Sequence, residues 1–347
     1  MYRVLQKVLA YSKGYAMKTG KLEWKFMEKL LSKLPVEDID LVVGPAQGED
    51  AAVIRLRDGF LVVHSDPITT GVKRAGYLAV HVAANDVAVR GAKPRWFLPV
   101  VLVPPTYSDF DMEDLFVDMS TALNEIGGVA VGGHTEVTPG LNRPIISMTA
   151  IGYAKTRVIL TRDAREGDIV YVVGRIAGEG AGIIAWDFEQ ILLSKGISKS
   201  VIEKAKSYIY DISVVRVALE VKDYVNAMHD ATEGGILQAL HEIAVASGKS
   251  IVVERGAVES ILEPEVKLVT SAMNVDPLRL LSSGCIIATV PRQSRRDFEN
   301  VLERLGKPYR AVGEVRRGDR EVVIKSSSGE LVVHEDITDE IYKLWGK

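Results

Sequence analysis

Apolar positions change their period along the chain in a way that marks its elements. Residues 22–34, "LEWKFMEKLLSKL", repeat apolar residues at helical spacing and stop at Pro35. The run "AAVIRLRDGFLVVHSD" predicts two strands joined by a tight hairpin at Asp58–Gly59. "RAGYLAVHVAANDVAVRGA" is rich in alanine and predicts a helix closed by Gly91 and Pro94. "RWFLPVVLVPP" predicts a buried strand. "DFDMEDLFVDMSTALNEIG" predicts an amphipathic helix whose early acids suit the positive end of its dipole. "GVAVGGHTEVTP" and "PIISMTAIGYA" predict strands around a glycine turn.

The polar stretch "TRDAREGD", residues 161–168, precedes a fresh strand, "IVYVVG", and predicts a domain boundary. Beyond it come a glycine-rich turn with a helix to about residue 187 and a helix near 197–221. The loop "HDATEGG" follows, then the helix "ILQALHEIAVAS", strands near 251–254 and 285–290, a helix over 292–305 and a strand pair near 310–335. Three segments result: a helical stretch 1–40, a first domain 41–160 and a second 161–347. Strands and helices interleave with frequent hairpins, which predicts an α+β (mixed α/β) fold rather than a strictly parallel sheet.

Composition narrows the class. The 347 residues are 47% hydrophobic and 26% charged, with net charge −3, enough for two domains that each bury a core. The near-neutral balance argues against a nucleic-acid partner, and no apolar run reaches membrane-spanning length. The amphipathic N-terminus "MYRVLQKVLAYSKGYAMKTGK" reads as a docking helix rather than a leader, so a cytoplasmic protein is expected. The single cysteine, Cys285, lies in "GCIIATV" and is expected to be a buried structural thiol. Abundant Lys, Arg and Glu with few Asn and Gln resemble a thermophile's usage.

Four stretches carry candidate chemistry. Asp50 precedes one strand of the predicted hairpin and Asp66 follows the other, so the two carboxylates can face one another. Like charges held together need a cation or a proton between them. Oxygen-only ligation suits Mg²⁺; the alternative is that both are strand-end caps. In "HVAANDVAVRGA", Asn85 and Asp86 sit mid-helix, where small polar residues are unfavourable. Either they cap an internal bend, or Asp86 joins the acidic cluster and Asn85 grips a ligand's polar edge. "VGGHTEV" sets Gly132 and Gly133 before His134, Thr135 and Glu136. In "HDATEGG", Asp230 precedes a glycine pair opening a helix, a capping site or an anion site. "GRIAGEGAGI" fits neither the P-loop nor the dinucleotide spacing.

In this order, "GEDAAVI", "SDPI", "AGYLAVHVAANDVAVRGAKP", "VGGHTEV", "REGDIVYVVGRIAGEGAGIIA", "HDATEGGILQALHEIA" and "DPLRLLSSGCIIATV" resemble the aminoimidazole-ribonucleotide (AIR) synthase superfamily. That superfamily includes thiamine-monophosphate kinases, selenophosphate synthetases and HypE-type hydrogenase-maturation dehydratases. The resemblance covers about residues 20–316 and is nearest to HypE-like proteins. It implies a PurM-like fold: a first domain whose strands form a β-barrel across a homodimer, and a second α/β sandwich domain. It implies ATP and Mg²⁺ between the domains, with Asp50, Asp66, Asp86, Glu136 and Asp230 as metal positions. Asn85, Gly132, Gly133, Thr135 and Lys21, with those aspartates, would contact the nucleotide, and His134 and Asp50 would be catalytic.

Two features depart from the pattern. Glu49 stands where relatives often carry a second aspartate, and the sequence ends "ITDEIYKLWGK" without the cysteine of HypE-type dehydratases. The expectation is therefore Mg²⁺- and ATP-dependent phosphoryl transfer to an oxygen of a small substrate. Its rivals are a thiamine-monophosphate kinase and an ATP-binding accessory protein docking to a maturation partner.

Overall fold

The computed structural model describes residues 20–69 and 73–345. The amphipathic stretch expected over the first residues lies outside them, apart from its last two positions. The Leu22–Leu34 pattern forms a shorter helix, Trp24–Leu31, followed by an irregular segment to residue 40.

Two seven-stranded sheets organise the molecule, one on each side of residues 155–168. The first contains β1 (Leu41–Val43), β2 (Ala52–Leu56), β3 (Gly59–Ile68), β4 (Lys93–Val103), β5 (Val129–Ala130), β6 (His134–Val137) and β7 (Ile145–Ala154). Its order is β1-β2-β3-β7-β4-β5, with β6 also paired to β4. β2 and β3 form the predicted hairpin, with Leu56 opposite Gly59. The second sheet contains β8 (Ile169–Val173), β9 (Ala227–Asp230), β10 (Ser250–Glu254), β11 (Ile286–Val290), β12 (Tyr309–Arg316), β13 (Val322–Ser326) and β14 (Gly329–Val333). Its order is β14-β13-β10-β12-β8-β11-β9. The fold is mixed α/β, and the chain's second half yields more strands than its pattern announces. Residues 227–230 are strand rather than loop, and the terminal pair is a set of three.

The Ala75–Val89 helix is the central element. Every residue in it is buried, because it packs on β3 and β7 on one side and on the Asp109–Ile126 helix on another. The fit on β7 needs Gly152, since a β-carbon there would meet Val87 Cγ1 at 2.4 Å. Ser108 caps the Asp109–Ile126 helix in a full capping box with Asp111. The expected helix over 197–221 divides into Lys199–Lys206 and Val215–Val221, separated by a 3₁₀ turn at Ser207–Asp211. Cys285 is fully buried just before β11, as its apolar neighbours foretell.

Candidate active site

The site is built where the ends of β2 and β3, the last turns of the Ala75–Val89 helix and the end of β9 converge. Hairpin register carries Asp50, two residues before β2, level with the Ser65–Asp66 end of β3. Asp86 faces the same strand, with its Oδ2 3.5 Å from His64 Nε2. Asp230 ends β9, which delivers a carboxylate from the second domain to the same place.

The four aspartates feel one another's charge, and burial intensifies it. Asp86 is held well above the usual carboxylate range by burial and by Asp230, Asp50 and Asp66. Burial raises Asp66 too, against the pull of His64 and Lys21. Asp230 is only 1% exposed, and neither of its oxygens has a hydrogen-bond partner. Burial and Asp50 push its pKa up to about 7, although His229 and Arg90 oppose the shift. A buried carboxylate with both oxygens orphaned is a costly feature unless a ligand completes it.

Asp50 is differently placed. Its Oδ2 accepts from Arg90 Nη2 at 2.7 Å, and its Oδ1 lies against His229 Nδ1 in an ion pair. Arg90, which closes the Ala75–Val89 helix, is completely buried. Its guanidinium also donates to Glu49 Oε2 at 2.6 Å, Thr161 Oγ1 at 2.9 Å and the Met228 carbonyl at 2.5 Å. The backbone N–H groups of Thr161 and Arg162 donate to Glu49, at 3.1 and 3.2 Å. Glu49 is therefore spent on structure, tying β2 to Arg90 and to the start of the second domain. His229 continues the chain, with Nε2 2.7 Å from Glu242 Oε2. Burial alone would favour a neutral ring, but Asp50 and Glu242 push its pKa up to about 10, so the imidazolium persists at neutral pH. Burial would raise Glu242, yet Lys21, His229 and Gln238 draw it down to about 2.

Lys21 supplies the cation facing this cluster. The residue is solvent-exposed, yet neighbouring protein disfavours its charge; Glu242, Glu233, Asp66 and Asp86 outweigh that and raise its pKa. Asn85 does not face the cluster openly. Its Nδ2 donates to the Ile212 carbonyl at 2.8 Å and its Oδ1 accepts from the Val214 N–H at 2.9 Å. The amide is thus engaged at both ends, pinning the helix to the second domain.

The "GGHTE" stretch lies elsewhere in the chain. Asp66 pairs with Met148 and Met148 with Pro99, while Val100 pairs with His134. Three strand spacings, roughly 14 Å, separate Asp66 from this row. Gly133 adopts φ +142°, and a β-carbon there would meet the Pro99 carbonyl at 2.3 Å. Gly132, His134, Thr135 and Glu136 are exposed, and His134 Nε2 has Glu136 Oε2 at 3.3 Å. Within one chain, the catalytic role expected of His134 and the metal role expected of Glu136 draw no support from this placement.

The glycine pair after Asp230 is also already served. Gly234 (φ +82°) precedes the Gly235–Ser247 helix, and its N–H donates to Asp339 Oδ2 at 2.7 Å. The capping carboxylate thus comes from 105 residues away, not from Thr232 or Glu233. Sequence reasoning missed Arg90, His229 and Glu242. A lone arginine ending an otherwise apolar helix, and a histidine beside Asp230, were the available signals.

The donor set suits a hard divalent cation. Asp50, His229 and Asp230 bring ligand atoms within 4.8 Å of one another. His229 is held as imidazolium between two carboxylates, which leaves Asp230 as the member of this trio with unpartnered oxygens, with the charges of Asp86 and Asp66 close by. Carboxylate oxygens without nitrogen or sulfur are what Mg²⁺ takes, alongside phosphate and water.

Comparison with known proteins identifies the family of both domains. The AIR synthase related protein N-terminal domain matches residues 48–154 and the corresponding C-terminal domain matches residues 165–326. A Methanocaldococcus jannaschii protein named for hydrogenase expression and formation is 26% identical over 335 residues, 91% of this chain and 96% of its own length. The thiamine-monophosphate kinase of Pyrococcus horikoshii is 25% identical over 307 residues, covering 85% of this chain and 90% of the kinase. The hydrogenase maturation protein HypE solved in complex with ATP superposes with a TM-score of 0.69 at 22% identity, over 95% of this chain and 97% of HypE. With both domains matched in order over most of its length, the chain belongs to the AIR synthase related protein family.

Proposed function

We propose that this protein is a Mg²⁺- and ATP-dependent enzyme that transfers the γ-phosphoryl group to an oxygen of a small substrate. The observation that carries the reading is the Asp230 carboxylate, buried with both oxygens unpartnered and set among Asp86 and Asp66. These residues would hold Mg²⁺, with Asp50 beside them, and the ion when bound would offset the charge of the phosphates. Lys21, already drawn toward the cluster, would stand against phosphate oxygens. Arg90 and His229 fix Asp50 and keep its charge balanced. The ATP-bound HypE relative and the thiamine-monophosphate kinase both support a nucleotide substrate in this fold.

The reading includes a homodimer. β6 is exposed along its whole length, and an apolar groove of about 360 Å³ opens between Phe97, Phe116, Met119, Leu123, Val129 and Met148. A second copy laid across this face would cover both. The relative named for hydrogenase formation supports a maturation protein as a further partner.

Steady-state ADP release by purified protein tests the activity. Turnover that requires Mg²⁺ and falls at least about 100-fold in Asp66→Asn and Asp86→Asn is expected, as for removal of a charge-stabilising group. Metal-independent turnover, or turnover unaffected by either substitution, contradicts it. The kinase similarity favours thiamine monophosphate as one acceptor. ADP release stimulated by that compound supports this second reading, and absence of stimulation rejects it.

A further inference from the structure

The C-terminal segment and the arm that carries Lys21 are stitched together beside the carboxylate cluster. The Lys21 N–H donates to Glu233 Oε1 at 2.9 Å, and the Trp24 N–H donates to Asp336 Oδ2 at 3.2 Å. Asp336 Oδ1 accepts from Gln47 Nε2 at 3.4 Å and Gln238 Nε2 at 3.3 Å. The Ile337 N–H donates to Gln238 Oε1 at 2.7 Å, and Asp339 takes the Gly234 N–H. Tyr342 closes the set. Its ring packs so close to Gly20 that a β-carbon there would lie 3.0 Å from Cε2, and burial followed by the Glu233 charge raises its phenol pKa. Glu233 Oε1 and the Tyr342 ring thus both lie against Gly20, with Glu233 also taking the Lys21 N–H.

The Trp24–Leu31 helix has no fully buried residue, with Trp24, Met27 and Leu31 only half-buried, so its packing holds Lys21 weakly. Asp339, by contrast, is almost fully buried and anchors the C-terminal segment to the second domain at the start of the Gly235–Ser247 helix. The rigid side of the contact is therefore the C-terminal segment, and the side that needs positioning is the arm.

We propose that residues 336–342 form a clasp that positions the Lys21 arm over the carboxylates, with Asp336 and Tyr342 as its positioning residues. Its consequence for turnover rests on the ATP reading given above; the clasp itself does not.

Hydrogen exchange of the full-length protein without nucleotide tests the clasp directly. Amides in residues 20–24 exchange slowly in the wild type. They speed up on the order of tenfold in Asp336→Ala and in Tyr342→Ala, while β11 keeps its protection. Unchanged exchange in the arm overturns the proposal. Should Asp336→Ala loosen β11 as well, Tyr342→Leu decides, because it keeps an apolar side chain and removes the ring from Gly20.

A turnover cycle with Lys21→Ala separates positioning from general weakening. Asp336→Ala costs ATP turnover on the order of tenfold beside Lys21 and less than about twofold in the Lys21→Ala background. Equal losses in both backgrounds overturn the proposal. A wild type that turns over no ATP defeats the enzymatic reading and leaves the exchange result to decide the clasp.

Discussion

Single residues at the site divide into those left open and those already spent. Asp230 is open, whereas Asp86 pairs with His64 and Glu49 and Asp50 are spent on Arg90. The motif "GED" shows that carboxylates stand together, but not that an arginine forty residues on, at the end of a buried helix, neutralises them. That pairing depends on tertiary structure alone, which is why Arg90 escaped a local reading. Arg90→Met tests the assignment. It leaves Glu49 and Asp50 buried without their counter-charge, so it should cost about 3–5 kcal/mol of folding stability by urea denaturation. A loss under about 1 kcal/mol would show that the guanidinium is not the partner these carboxylates need.

At the level of elements, strong periodicity was legible and short buried pieces were not. The β2–β3 hairpin and the Ala75–Val89 helix follow from their patterns, since a long run of one period leaves little choice. β9 is only four residues, all buried, so it carries no alternation and looks like part of a loop. The Pro264–Met273 helix went unread for want of a pattern marked enough to single it out. The break within residues 197–221 has a tertiary cause in part: Ile212 and Val214 bond to Asn85 instead of continuing a helix. Asn85 therefore reads as a clip between domains. Asn85→Ala removes both bonds and strands a buried carbonyl and N–H, costing about 2–4 kcal/mol. Differential scanning calorimetry should show a lowered transition. An unchanged transition would mean that the contact contributes nothing to stability.

Across the whole molecule, the ordered motifs announced the family and the two-domain mixed α/β architecture, and they singled out the aspartates that the fold brings near one another. They could not show which chemistry-bearing residues stay apart. His134 and Glu136 follow a glycine turn that looks ligand-directed, yet strand register sets them three strands from Asp66. Their exposure on an edge strand is what the proposed dimer would use. Phe116→Glu puts a charge in the apolar groove and should convert a sedimenting dimer to monomer, while a wild type that sediments as a monomer rejects the dimer outright.

The central claim is that Asp230, Asp86 and Asp66 await a divalent cation carrying a nucleotide. Equilibrium binding of a non-hydrolysable ATP analogue, titrated with and without Mg²⁺ in the wild type and in Asp230→Asn, tests it most directly. The wild type should bind only with Mg²⁺. Asp230→Asn should lose at least about tenfold in affinity, as expected when a ligand to the ion is removed. Without metal the variant should melt no lower than the wild type, because it relieves like-charge repulsion from Asp50 and Asp66. Nucleotide binding indifferent to Mg²⁺, or undiminished in Asp230→Asn, would contradict the account.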